Sequence, residues 1–146
     1  LDGINGKITA YEGVWKGSIW QKFVRVANGS TLNPLAPNVM LVQSGPAQTY
    51  FVYLPDITNE LDGAKFCLYW NGIGTRSSYS AQMVKTINSR IIDFDNIGID
   101  NYGTPDYKTQ VYYQHFCYGY IEIVASVFDN AWIITKKTTN NLVLVD

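Results

Sequence analysis

The sequence has one histidine, two cysteines and little charge, and each shortage removes a class of chemistry. With His115 alone, a Ser-His-Asp or Cys-His catalytic set would need that residue as its base, and neither Ser nor Cys stands in a nucleophile-elbow pattern. His115 therefore reads as a satisfied strand histidine. Cys67 and Cys117 lack zinc-ligand spacing and are too few for a disulfide framework, so they read as a buried reduced pair. Neither glycine-rich phosphate-binding pattern occurs. No metal and no cofactor are expected.

Charged residues make up 16% of the chain, with 11 basic against 12 acidic side chains spread evenly over both halves. That balance leaves no basic footprint for nucleic acid or anionic lipid. No apolar run reaches the roughly 18 to 20 residues that cross a bilayer, and no basic-then-apolar leader opens the chain, so membrane insertion is not expected. Leu1 in first place is expected of a fragment or a processed chain. Helical periodicity is scarce too: the short stretch Ser80 to Ile87 is the best candidate.

What remains is abundant. Aromatics reach 14%, from 11 Tyr, 6 Phe and 4 Trp, with 12 Gly beside them, the vocabulary of strands and tight turns. Runs of β-branched and aromatic residues predict strands near Ile8 to Tyr11, Ile19 to Val26, Asn38 to Gln43, Thr49 to Leu54 and Lys65 to Trp70. Further strands are predicted near Ile91 to Asp95, Lys108 to Gln114, Gly119 to Val127, Trp132 to Thr135 and Leu142 to Val145. Asn28-Gly29, Asp62-Gly63 and Asn71-Gly72 suit turns with positive φ, and Asp129-Asn130 suits a hairpin tip. Ser30 to Pro37 and Gly98 to Tyr107 read as loops. A length of 146 residues fits one domain. The fold class is all-β: an antiparallel β-sandwich or jelly roll of about eight to ten short strands with little helix.

Alternation assigns faces. Ile121, Ile123 and Ala125 share one side of their strand, whereas Tyr120, Glu122 and Val124 share the other, which the charge marks as solvent or interface. Trp132 and Ile134 join the first set, and Leu54, Phe66 and Leu68 complete the expected core. Between Tyr112 and Tyr118 both faces carry large aromatics, which a single wet-faced monomer does not need. A neighbouring subunit covering the second face would explain them.

Two carboxylate patterns bear on chemistry. Asp93 and Asp95 on one strand would point the same way about 6 to 7 Å apart, near the separation used in glycoside hydrolysis. The same run, with Gly98, resembles the start of a calcium loop but places Ile97 and Thr104 where ligands belong. Aromatic excess offers another route, because flat rings of Tyr and Trp stack on the C–H faces of sugars while polar neighbours fix the hydroxyls. Asn101, Tyr102, Asp106 and Tyr107, all in the Gly98 to Tyr107 loop, form the clearest such set and are the expected ligand-binding residues. Asn28-Gly29-Ser30 is also an N-glycosylation sequon.

From Tyr50 onward the order of segments resembles the head domains at the tips of viral and bacteriophage fibres and spikes. The segments are Phe51-Val-Tyr-Leu-Pro55, Gly63-Ala-Lys-Phe-Cys-Leu-Tyr-Trp-Asn-Gly72, Ile91-Ile-Asp-Phe-Asp95, Ile121-Glu-Ile-Val-Ala-Ser126 and Asn130-Ala-Trp-Ile-Ile134. Residues 1 to about 48 depart from the plan and suit a junction to a preceding shaft. The resemblance implies a non-enzymatic homotrimer on the virion surface that attaches to a host-cell receptor, a glycan among the candidates. Two other classes compete: a carbohydrate-binding module of a cellular protein, and a glycosidase using Asp93 and Asp95.

Overall fold

The computed structural model describes residues 22–41, 50–71, 82–94, 108–113, 118–138 and 142–145. Ten strands lie within them: β1 (Phe23–Val24), β2 (Asn38–Leu41), β3 (Tyr50–Tyr53), β4 (Lys65–Asn71), β5 (Gln82–Lys85), β6 (Arg90–Ile92), β7 (Gln110–Tyr113), β8 (Tyr118–Ser126), β9 (Ala131–Lys137) and β10 (Leu142–Val145). A three-residue 3-10 turn, Asn59–Leu61, is the only helical element among the described residues. The strands form a six-stranded sheet ordered β1-β2-β4-β8-β9-β6 and a four-stranded sheet ordered β10-β7-β5-β3. The described residues are mostly β, as composition and turn spacing indicate. The strand expected near Ile8 to Tyr11 and the loop Gly98 to Tyr107 lie outside the described residues.

The expectation of antiparallel pairing throughout is corrected. The pairs β1–β2, β2–β4, β3–β5 and β6–β9 run parallel, and the other four run antiparallel. Connectivity supplies the reason. The chain leaves β2 for β3 in the other sheet and returns as β4 beside its starting strand. Two reversals restore the original direction, so β2 and β4 are parallel; β3 and β5, with β4 between them in sequence, follow the same logic.

The helix candidate Ser80 to Ile87 is also corrected. Gln82 to Lys85 is strand β5, bonded to β3 on one side and β7 on the other. Val84 is buried between the half-buried Met83 and Lys85, a period of two that four residues make too short to recognise.

Turn chemistry follows the dipeptides at Asn28-Gly29, Asp62-Gly63 and Asp129-Asn130, whereas Gly72 of the expected Asn71-Gly72 turn lies outside the described residues. Gly29 and Gly63 have φ of 81° and 76°, and Asn130, at φ 47°, closes the β8–β9 turn in the left-handed region that Asn tolerates.

One cluster of buried side chains draws on both sheets. Val39, Leu41, Phe66, Leu68, Ile121, Ile123 and Trp132 come from the larger sheet, and Tyr50, Val52, Val84 and Val111 from the smaller. All seven residues expected in the core are buried. The Trp132 ring lies 5.4 Å from that of Phe66.

A bulge interrupts β8–β9. Ile123 pairs with Ile134 but Glu122 pairs with Lys136, so Thr135 is the extra residue on β9. Beyond it the alternation changes phase. Lys137 stands opposite the inward Ile121, and its ammonium reaches the buried Asp93 carboxylate at 2.5 Å, with only 10% and 3% of the two side chains exposed.

Candidate functional site

Two surfaces of the described residues carry features that stability alone does not require. The first is the end of the molecule where β3, β5 and β8 stop. Pro55 ends β3 because it has no donor for a ladder, and its carbonyl accepts from Trp132 Nε1 at 3.3 Å. Asn88 Nδ2 donates to Asp56 Oδ2 at 3.0 Å, and Asn130 Nδ2 donates to the Asn88 carbonyl at 3.1 Å. Val127 N donates to Asp62 Oδ1 at 3.0 Å. Within the β8–β9 turn the Ser126 hydroxyl donates to Asp129 Oδ2 at 2.6 Å and accepts from Asp129 N at 3.3 Å. Three chain segments are thus tied together by side chains that suit turns.

This polar framework holds two apolar side chains out in water. Phe128 is 98% exposed at the tip of the β8–β9 turn, and Ile87 is 68% exposed in the β5–β6 turn that Asn130 ties to it. Neither contributes to the core. An apolar anchor whose backbone is already ordered loses little freedom when it enters a partner's pocket, which favours recognition.

The second surface is the outer face of the larger sheet. Tyr69 and Tyr120 are register neighbours on β4 and β8, with ring centroids 4.8 Å apart, and Phe23 meets Tyr69 edge-on at 5.1 Å. The Tyr120 hydroxyl lies 3.8 Å from the Cys67 thiol, which is free. Burial, the Cys67 contact and the nearby negative charge of Glu122 together raise the Tyr120 phenol above its ordinary range, and burial raises Tyr69. Both rings stay neutral hydrogen-bonding groups at physiological pH.

Glu122 lies on this outer face, opposite the core, yet it is only 8% exposed rather than solvated. Lys65 and Lys136 stand 3.6 and 3.7 Å from Oε2, and the Thr135 hydroxyl donates to Oε1 at 2.9 Å. Burial by itself would raise its pKa. The Thr135 hydrogen bond and the two ammonium groups outweigh burial, and the net shift is downward. A carboxylate with a folded pKa below its unfolded value of about 4.3 adds stability above that pH and gives it up as pH falls through the folded value. Glu122→Gln should therefore flatten the decline of the thermal midpoint below about pH 4.3. An acid limb as steep as that of the parent would show that other groups govern it.

The residues expected to bind ligand, Asn101, Tyr102, Asp106 and Tyr107, lie outside the described residues, as do Asp95, His115 and Cys117. Asp93 is described, and the expectation that it lies on a strand is corrected: β6 ends at Ile92, and the Asp93 carboxylate just beyond it is buried against Lys137. Sequence reading missed Phe128 because an aromatic beside a strand ordinarily belongs to the core. Asp129-Asn130, read as a hairpin tip, was the one signal that placed it outside. Compared with family models, curated proteins and solved structures, the chain matches none.

Proposed function

We propose that this chain is a non-enzymatic attachment head, a β-sandwich domain at the tip of a viral or bacteriophage fibre or spike, trimeric on the virion surface and bound to a receptor on the host cell. The observation that carries the reading is Phe128, a fully solvated aromatic on a turn fixed by side-chain hydrogen bonds, with Ile87 on the neighbouring turn. Sheets supply the stability and leave end loops free for recognition. The segment order from Phe51 to Ile134, which resembles fibre heads, points the same way.

Phe128→Ala should leave stability within about 0.5 kcal/mol of the parent, because the side chain makes no buried contact. The same variant should lose most of the parent's ability, as purified protein, to block attachment of the virion to host cells. Undiminished blocking by a folded Phe128→Ala protein would remove this surface from the proposal. Mass spectrometry of purified virions that finds no trace of the chain would remove the fibre reading itself.

A second reading, a carbohydrate-binding module of a cellular protein, rests on the other surface. Phe23, Tyr69 and Tyr120 present aromatic area on an outer sheet face with Glu122, Lys65 and Lys136 beside it, the mixture that takes the apolar face of a sugar and its hydroxyls. Sugar binding lost in Tyr69→Ala, with no virion association, would favour it.

A further inference from the structure

We infer that Asn28 is a modification site that the fold keeps latent: when residues 28–32 lift from β3, the Asn28 side chain cyclises onto the Gly29 nitrogen, and the isoaspartate that results keeps the segment from returning. The inference goes beyond the attachment reading and does not depend on it.

An asparagine followed by glycine is well suited to this reaction, because glycine has no Cβ to crowd the attacking nitrogen. Asn28 and Gly29 lie in an exposed turn. Ser30 N donates to the Ala27 carbonyl at 3.1 Å, Gly29 has φ 81°, and Asn28 stays outside the positive-φ region. That is a type II turn with glycine at the position that requires it. The chemistry balances within the chain and water. Gly29 N loses its proton and bonds to Asn28 Cγ, the Cγ–Nδ2 bond breaks, and Nδ2 leaves as ammonia. Water then opens the cyclic imide. Attack at Cγ gives aspartate on the original backbone, and attack at the Asn28 main-chain carbonyl gives isoaspartate, whose backbone runs through Cβ and Cγ.

In the folded chain one residue holds both reacting groups. Gly29 N donates to the Phe51 carbonyl at 2.7 Å, and Phe51 N donates to Asn28 Oδ1 at 2.9 Å. The first bond matters most, since the nitrogen attacks only after losing the proton that amide exchange also removes, and a hydrogen bond suppresses that loss. Lifting residues 28–32 frees the nucleophile and the side-chain amide together. Few contacts resist it: Tyr53 N donates to the Ser30 carbonyl at 2.9 Å, Leu32 N donates to the Tyr53 carbonyl at 2.8 Å, and the Leu32 side chain is buried. A segment this short can open without global unfolding.

The two products have different consequences. Aspartate keeps a side-chain oxygen for Phe51 N. Isoaspartate lengthens the main chain ahead of Gly29, so Gly29 N, the Ser30 carbonyl and Leu32 N no longer fall opposite Phe51 and Tyr53. β3 is the last strand of the smaller sheet, and residues 29–32 cover its outer side. Displacing them leaves backbone groups of β3 open to another extended chain.

The test ages the intact 146-residue chain at mildly alkaline pH, folded and in guanidinium. Peptide mapping reads isoaspartate at position 28 separately from Asn5-Gly6 and Asn71-Gly72, which carry the same pair. The folded chain should convert more than about tenfold more slowly than the unfolded one, and Leu32→Ala should speed Gly29 amide exchange and Asn28 conversion by the same factor. Guanidinium well below the unfolding midpoint should act the same way, and it serves if that variant does not fold. Protein carrying isoaspartate at position 28 should lose protection of the Tyr53 amide, whereas Asn28→Asp should keep it. Equal conversion in the folded and unfolded chains overturns the latency, and conversion that does not follow Gly29 exchange overturns the release route. Unchanged Tyr53 protection in the isoaspartate form overturns the effect on β3. No conversion at position 28 in either sample overturns the site.

Discussion

Trp132→Ala should destabilise the protein by about 3–5 kcal/mol, the range for removing a large aromatic from a packed interior. The indole is 0% exposed, lies 5.4 Å from the Phe66 ring and donates to the Pro55 carbonyl. Its replacement opens a cavity and also leaves that carbonyl without its donor where β3 turns toward β4. Trp132→Phe fills most of the volume and loses the hydrogen bond, so it should fall between the parent and the alanine variant. Guanidinium unfolding at several pH values measures both. A loss under about 1 kcal/mol for the alanine variant would mean the site collapses around the gap or that Trp132 is solvated.

Lys137→Met should cost a similar amount, about 3–5 kcal/mol, by a different route. The methionine keeps the apolar stem but leaves the Asp93 carboxylate buried without its ammonium partner at 2.5 Å. Replacing both partners, Asp93→Leu with Lys137→Met, should recover most of that loss, because two buried charges cost desolvation that two apolar groups avoid. Equal losses for the single and double variants would show that Asp93 is held by its other contacts and that Lys137 contributes little. The same pair bears on the glycosidase alternative, because the Asp93 carboxylate is buried and already engaged by Lys137.

The core was legible in the sequence because large apolar residues at every second position of β8 and β9 leave one consistent inside face. Ile121, Ile123, Trp132 and Ile134 needed only period-two counting. Glycine and asparagine turns were legible because few residues accept positive φ. Pairing direction was not, because it depends on which sheet the chain visits between two strands, and no local pattern records that. β5 was hidden by its brevity. Lys137 was hidden by the Thr135 bulge, since counting by twos from Trp132 puts Lys136 inside and Lys137 outside. Asn101, Tyr102, Asp106 and Tyr107 stay a proposal based on loop chemistry, while Phe128 entered through its exposure, which the sequence does not carry.

The path of the chain between its two sheets also governs how the protein emerges from the ribosome. β4 lies between β2 and β8, and Lys65 pairs with Val124 while Arg90 pairs with Ala131. At about 5–20 residues per second, the partner on one side of β4 arrives roughly 3–12 s after β4 itself. Throughout that interval Phe66 and Leu68 have no β8 beside them, and the larger sheet cannot close until the last third of the chain is made. Pairings this distant in sequence also place folding on the slow side, in the milliseconds to seconds typical of non-local β topologies. Nascent chains of this protein are therefore natural clients for chaperones that shield apolar strands, and co-expression with such chaperones should matter more to its yield than to the stability of the finished fold.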